Sequence, residues 1–419
     1  LPPAHTLAVS AGQVQVQRYW QPDFQRVLEY PHLQDYRNHY RELLADIVMR
    51  QGRSDYPVAF EVSGGLDSSA LFAVASELQR SGDLPTPDIA GYTLDFRGCG
   101  DADEVAYAKA VGRHCERPVA VVPPTYKPLD WYRRRGRSRG EFCGAPNGVM
   151  SMGLFARAAA TGSRVLVNGT GGDEWLDCGP TAYAETLRRG QFASLVTLLR
   201  AHARQDGWRG AIAGAARSAL AGNLSPDLKA LLRRGNGANA EQRHLSAATL
   251  AQLAGLASRS ADDTAGLSLA GPWQRALWQQ LNNSYTLLAH ETMEALAAEA
   301  GLELRRPYWS RRLVEFSISV PRRVLTAPGD NRTLHRTALA GVLASEVLQR
   351  EDKAEFSCAF QGLTAELAQT LAAGELAVEP AWIEPAELNA ALEEAKHALA
   401  GTSDWSLWCL FSCAAVVAR

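Results

Sequence analysis

Hydrophobic and polar positions follow different periods in different parts of the chain. Leu1–Pro22 alternate loosely, with Leu7, Val9, Val14, Val16 and Tyr19 on the apolar positions, as one or two short strands or a linker would. Across Phe24–Arg50 the apolar residues Val27, Leu28, Leu43, Leu44, Ile47 and Val48 recur at spacings of three and four, which predicts a helix. Short β-type runs then alternate with helical ones. Pro57–Val62, Ile89–Phe96, Val119–Val122 and Val165–Asn168 read as strands, and Ser68–Arg80, Asp103–Cys115 and Val149–Ala160 as helices. That alternation predicts an α/β fold, a doubly wound parallel sheet with helices on its faces. Ligands of such sheets sit at the carboxyl ends of the strands. After Glu174 the pattern changes. Tyr183–Leu220 and Ala247–Ala300 are rich in Ala, Leu and Arg at helical spacing and predict a large helical second region. Gly301 stands where a glycine would end such a helix, and Gly235–Asn239 reads as a loop.

Composition narrows this picture without changing it. The 419 residues are 46% hydrophobic and 21% charged, enough for a sizeable core and unlike a disordered chain. The formal net charge of −2 argues against a nucleic-acid coat or a membrane-surface protein. Leu407–Ala418, the longest apolar run, falls short of the roughly 20 residues of a membrane helix. The 7 cysteines are odd in number and contain no CxxC pair, so a disulfide framework and structural zinc are not expected, and a reducing, cytoplasmic setting is. Cys409 and Cys413, one helical turn apart among Leu and Val, read as core packing. Arg133–Arg139 is a run of arginines that reads first as a solvated loop, or else as a contact for an anionic substrate, a precursor peptide or ATP.

Two glycine-rich strings carry the chemistry. Ser63-Gly64-Gly65-Leu66-Asp67-Ser68-Ser69 follows the Pro57–Val62 strand directly. Its glycines permit a tight turn and close backbone approach, and the serines and the first N–H groups of the next helix present donors to an anion. Asp67 suits magnesium, which prefers hard oxygen ligands. Asn168-Gly169-Thr170-Gly171-Gly172-Asp173-Glu174 follows a second strand, so both turns would face one crevice, and Asp173 could bring a second carboxylate to the metal. The first string lacks the lysine of a Walker loop and resembles the PP-loop of ATP pyrophosphatases, which cleave ATP between the α and β phosphates.

Together the two strings resemble the synthetase domain of the asparagine synthetase family. The likeness continues through Arg306-Pro307-Tyr308-Trp309-Ser310-Arg311-Arg312-Leu313-Val314-Glu315-Phe316 and ends at Arg350-Glu351-Asp352-Lys353-Ala354-Glu355-Phe356. It implies a carboxylate adenylated by ATP with Mg2+, release of pyrophosphate, and attack by an amine to form an amide. Carried over, Ser63, Gly64, Gly65, Asp67 and Ser68 would hold pyrophosphate and metal. Val62 and Leu94 would flank the adenine, Asn168 and Gly169 would line the nucleotide, Asp173 would be the second metal ligand, and Lys353 would stabilise charge at the α-phosphate. It also implies a division into 1–22, a linker or strands after an absent glutaminase-like domain, 23–185, the ATP-binding core, and 186–419, a mostly helical synthetase region carrying the Lys353 motif.

The chain departs from the family at two positions. Thr170 stands where asparagine synthetases have an acidic residue and β-lactam synthetases a tyrosine, and a threonine hydroxyl cannot deprotonate an amine near neutral pH. With Asp173 assigned to the metal, Glu174 is the next carboxylate by sequence and the candidate base. Ser310 replaces a customary aspartate. These departures favour a relative that builds a peptide or natural-product amide, resembling lasso-peptide macrolactam cyclases, over amidation of aspartate. The expected partners are a small-molecule or peptide carboxylate and a separate glutaminase domain or precursor-peptide-binding protein, with neither membrane nor nucleic acid. A tRNA-modifying PP-loop enzyme would want a basic face or a catalytic cysteine pair, and neither is evident. A non-catalytic ATP-binding scaffold is the rival of another class, and Asp67, Asp173 and Lys353 argue against it.

Overall fold

The computed structural model describes the chain apart from residues 143–145, 177–182, 184–185, 188–189, 191, 224–243, 263–271, 327–331, 351–353, 355, 375–377, 398–404 and 418–419. Lys353 therefore lies outside the described residues, as does the Gly235–Asn239 loop.

The chain opens with an antiparallel hairpin, β1 (His5–Ser10) and β2 (Gln13–Arg18), which pairs Leu7 with Val16 and Val9 with Val14. Helix α1 (Leu33–Gln51) begins nine residues later than the apolar spacing alone suggests. Pro31 lies just before its start, and a proline disfavours helical backbone in the residue it follows. Strands β3 (Val58–Glu61), β4 (Ile89–Leu94), β5 (Val119–Val122), β6 (Val165–Val167) and β7 (Glu303–Arg305) form a five-stranded sheet in the order β5-β4-β3-β6-β7. All of its pairings are parallel. Helices α2 (Leu66–Ser81), α3 (Val105–His114), α4 (Leu129–Arg139), α5 (Pro146–Met150), α6 (Met152–Ala160) and α7 (Gly172–Leu176) lie between the strands or follow them.

The alternation of side chains along each strand builds two cores. Val58, Phe60, Val165 and Val167 enter one with residues of α1, α2 and α3. Ala59, Leu166 and Leu304 enter the other with residues of α4, α6 and the helices Ser284–Glu299, Gln361–Ala372 and Trp405–Val417. Helices thus cover both faces, as a parallel sheet requires. The chain runs outward from β3 through β4 to β5, then returns to β6 on the other side of β3 and on to β7. The β3/β6 boundary is the switch point, where such sheets open a ligand crevice.

The second region contains the helices Phe192–Asn223, broken at Gly207, Ala247–Asp262, Pro272–Leu281 and Ser284–Glu299. Gly301 closes the last of these with a left-handed φ of 78°. The Gly301 N–H donates to the Ala298 carbonyl and the Leu302 N–H to that of Ala297, so the end carbonyls find partners.

Three expectations are corrected. Arg133–Arg139 is not a loop but the body of α4. Arg135 and Arg139 both bind Glu299, at 2.5 and 2.7 Å, Arg133 and Arg134 pair with Asp130, and Arg137 donates to the Ala415 carbonyl. The cations are absorbed by the fold's own acceptors. Cys409 and Cys413 are exposed rather than core residues, because Leu407, Trp408, Leu410, Phe411, Ala414 and Ala415 take the inward face of that helix. Cys99 is disulfide-bonded, its partner not among the described side chains, whereas Cys115 is a buried thiol. An odd cysteine count leaves room for one pairing between residues distant in sequence, so it does not carry the reducing setting read from it. Among the described residues no helix is long and apolar enough to cross a membrane.

Candidate active site

The bend after β3 is held by its own serines. The Ser63 N–H donates to the Ser68 hydroxyl at 3.1 Å, the two hydroxyls lie 2.9 Å apart, and the Gly65 N–H donates to Ser63 Oγ at 3.2 Å. Gly64 has φ +82°, and a Cβ there would sit 2.5 Å from Tyr107 Cβ, so both conformation and space demand glycine. Arg350 braces the bend from outside. Its guanidinium donates to Glu104 at 2.5 Å and to the Gly64 carbonyl at 3.4 Å, and lies 4.5 Å over the Tyr107 ring. Burial, with nearby Glu104, pushes the Glu61 carboxyl up to about 7.

The second string comes directly against the first. A Cβ on Gly169 would meet the Ser68 N at 2.6 Å, and one on Gly172 would meet Asp67 Cγ at 2.1 Å. Both glycines therefore permit contact between the strings rather than a turn. Asn168 is buried, and its side-chain oxygen accepts from the Thr170 N–H at 3.3 Å. Thr170 itself is exposed at the rim. Gly171, at φ +111°, is packed beneath Tyr308 and Trp309. The Tyr308 hydroxyl donates to the Asp67 carbonyl at 3.1 Å, so the Arg306–Phe316 segment forms part of the floor.

Two carboxylates converge here on one cation. Arg332 places a single guanidinium nitrogen 2.8 Å from Asp67 Oδ2 and 3.1 Å from Asp173 Oδ1. Sequence patterns gave no sign of Arg332, which reaches Asp67 across 265 positions. Burial pushes the Asp67 carboxyl up to about 7 against the pull of Arg332, while Asp173 and Glu174 add to the rise. Asp67 Oδ1 is buried without a hydrogen bond.

Magnesium fits these residues. Among the described residues no three His, Cys, Asp or Glu side chains form a metal cage. Magnesium usually takes one or two protein carboxylates and completes its shell with water and substrate phosphates, which matches Asp67 and Asp173 beside an anion-binding bend.

The residues expected to touch the adenine divide. Val62 is fully buried in the core on one face of the sheet, while Leu94 packs with the cluster on the other. The Val62 side chain thus lies on the face of the sheet opposite Leu94. Pairing of Phe60 with Gly91 and of Glu61 with Tyr92 sets this outcome, because positions 62 and 94 then alternate to opposite faces.

Comparison with known proteins agrees with this geometry. The asparagine synthase family model matches residues 39–417. Asparagine synthetase [glutamine-hydrolyzing] 3 of Bacillus subtilis (strain 168) is 35% identical over 95 residues, which is 22% of this chain and 15% of that protein. Asparagine synthetase [glutamine-hydrolyzing] 2 of the same organism is 30% identical over 149 residues, 32% of this chain and 18% of that protein. The matched stretches thus span less than a fifth of either relative. With the family model covering most of the chain, and its two glycine strings facing each other across the β3/β6 boundary, this protein belongs to the asparagine synthase family.

Proposed function

We propose that the protein is an ATP-dependent carbon–nitrogen ligase that adenylates a substrate carboxylate, releases pyrophosphate and passes the acyl group to an amine. The observation that carries this reading is the contact of Asp67 with Gly172, which sets two carboxylates beside an anion-binding bend at the switch point of the sheet. The serine hydroxyls and the first N–H groups of α2 bind and orient the pyrophosphate end of ATP. When bound, magnesium supplies charge neutralisation at those phosphates. Arg332, within reach of the same oxygens, offers a guanidinium to the triphosphate. Lys353, on its motif, stabilises negative charge at the α-phosphate, a contact typically worth about 3 kcal/mol in the transition state.

The acceptor amine and the carboxylate belong to a peptide or natural product in this reading, as in lasso-peptide cyclases. Thr170 supports it, because an exposed hydroxyl at the rim supplies no base for an ammonium ion. Aspartate amidation is the competing reading, favoured by the names of the two Bacillus relatives. ATP–pyrophosphate exchange, screened over aspartate and over peptide carboxylates, separates them. Asp67→Ala and Lys353→Ala are expected to reduce exchange at least ~100-fold with the fold intact. Wild-type turnover in either variant refutes that residue's role, and efficient formation of asparagine from aspartate and ammonia refutes the peptide reading.

A further inference from the structure

The peptide unit between Gly64 and Gly65 is held at both of its polar ends. A trans peptide points its C=O and its N–H in opposite directions, and no peptide bond among the described residues is cis. On one side the Gly65 N–H donates to Ser63 Oγ at 3.2 Å. On the other, the Gly64 carbonyl accepts from the Arg350 guanidinium at 3.4 Å. That guanidinium is itself fixed. The nitrogen that reaches Gly64 also donates to Glu104 at 2.5 Å, and the group lies 4.5 Å over the Tyr107 ring. Arg350 and Glu104 are both buried. Arg336, on the helix Thr333–Ala338, holds the backbone from which Arg350 hangs, donating to the Leu348 carbonyl and, at 2.9 Å, to that of Arg350.

Nothing in the covalent structure of this peptide unit keeps it from turning over, since the residues on both sides are glycine. A flip exchanges C=O and N–H by rotating the ψ of Gly64 and the φ of Gly65 by about 180°. Gly65 has φ −76°, so the flipped form carries it to a positive φ, which glycine adopts without steric cost. The two forms differ in what they offer an anion. As it stands, the Gly65 N–H occupies an acceptor position on Ser63 Oγ and leaves the hydroxyl hydrogen to donate. The flipped form turns the Gly64 oxygen toward Ser63. That oxygen takes the hydroxyl as its donor and repels phosphate oxygens. The bond from Arg350 stabilises the first form alone.

We propose that Arg350 is a positioning residue that locks the Gly64–Gly65 peptide in its anion-accepting orientation and so sets the affinity of the bend for pyrophosphate. The inference rests on the reading of that bend as the pyrophosphate site. It gives Arg350 no contact with the ligand, because its charge is matched by Glu104 and it approaches the bend from the carbonyl side.

The test is calorimetric titration of the whole chain with inorganic pyrophosphate and, separately, with AMP, both with Mg2+, while thermal unfolding is followed alongside. AMP lacks the group that the bend grips. Arg350→Met removes the donors, and is expected to weaken pyrophosphate binding about tenfold or more, the scale of a hydrogen bond to a charged group, while AMP stays within about threefold of wild type. A merely structural guanidinium would move both ligands together, so equal losses overturn the proposal, as does unchanged pyrophosphate binding. Gly65→Ala supplies a second arm. Alanine is penalised at the positive φ of the flipped form, and its Cβ would meet only Ser63 Oγ, at 3.2 Å. In that background Arg350→Met is expected to cost less than about threefold, and an equal cost in both backgrounds overturns the lock. Should Arg350→Met fail to fold because Glu104 loses its cation, Arg350→Met combined with Glu104→Gln is measured in its place by the same criteria. A wild-type chain that does not bind pyrophosphate refutes the reading of the bend itself. If wild type binds it and Arg350→Met binds it equally well, only the present inference fails.

Discussion

Gly172 has no room for a methyl group. Its φ is not in the left-handed region, so the constraint is purely steric: a Cβ would overlap the Asp67 carboxyl carbon at 2.1 Å. Gly172→Ala is expected to push Asp67 off its position and to lower ATP–pyrophosphate exchange at least ~100-fold, the scale on which small misplacements act in active sites. Gly214→Ala is the control, since its Cβ would meet nothing within 4 Å and it lies inside the Phe192–Asn223 helix. It should leave exchange alone and raise stability by up to about 1 kcal/mol. Exchange assays and thermal melts on both variants check this. Asp67 and Asp173 were legible in the sequence because each sits in a glycine-rich string after an apolar strand. Arg332 and His335 were not. The Pro328-Gly329-Asp330-Asn331 string just before them is a turn signal that points to no ligand, and only the tertiary fold brings them to Asp67.

At the scale of elements, strands with apolar runs were legible and those without were not. β7 has one inward residue, Leu304, between Glu303 and Arg305, which leaves no period to detect. Arg305 pairs with Glu303 and donates to the Gln51 and Arg53 carbonyls, so its charge is satisfied beside the sheet. α4 was hidden for a related reason, since its arginines mask a helix whose buried face is only Leu129, Tyr132 and Gly136. The meeting of β3 with the loop before α3 makes a pH-dependent contact. Glu61 ends β3, and Glu104 stands before α3, with its charge held by Arg350. Burial first, and Glu104 second, raise the Glu61 carboxyl from 4.5 to about 7. In the folded state Glu61 therefore holds its proton to higher pH than in the unfolded chain. Its contribution is fully present below pH ~4.5 and is lost as pH rises through ~7. Glu61→Gln, which mimics the protonated form, should match wild type at pH 5 and exceed it at pH 8 by about 1–2 kcal/mol, since the partial exposure of Glu61 screens part of the shift. Denaturant unfolding at the two pH values tests this, and a variant no more stable than wild type at pH 8 would contradict it.

For the whole molecule, the two cores and the crevice between β3 and β6 form one unit, and the amino-terminal hairpin stands apart from it. Every residue of β1 and β2 is exposed except the half-buried His5. Val9 is 67% exposed although it pairs with Val14 across the hairpin. A lone two-stranded hairpin is marginal in water and cannot lend much stability to what it touches. Among the described residues, the Tyr19 N–H donates to the Ala4 carbonyl at the open end of the hairpin, and Arg18 lies 5.6 Å over the Trp278 ring. The first firm anchors come later. Trp20 donates through its indole N–H to Glu315 at 2.8 Å, and Phe24 is buried edge-on to Trp278. Removing residues 1–17 keeps Arg18, Trp20 and Phe24 and exposes no core side chain. Such a chain should melt within about 2 °C of the full one, because a loss of 1 kcal/mol shifts a large domain by only a few degrees and the hairpin buries too little to contribute that much. Its ATP–pyrophosphate exchange should be unchanged as well, since the hairpin's side chains face solvent rather than the glycine strings' core. A much larger fall in melting temperature would mean that the apolar face of Leu7, Val9, Val14 and Val16 is covered in solution, and the hairpin would then belong to the folded unit.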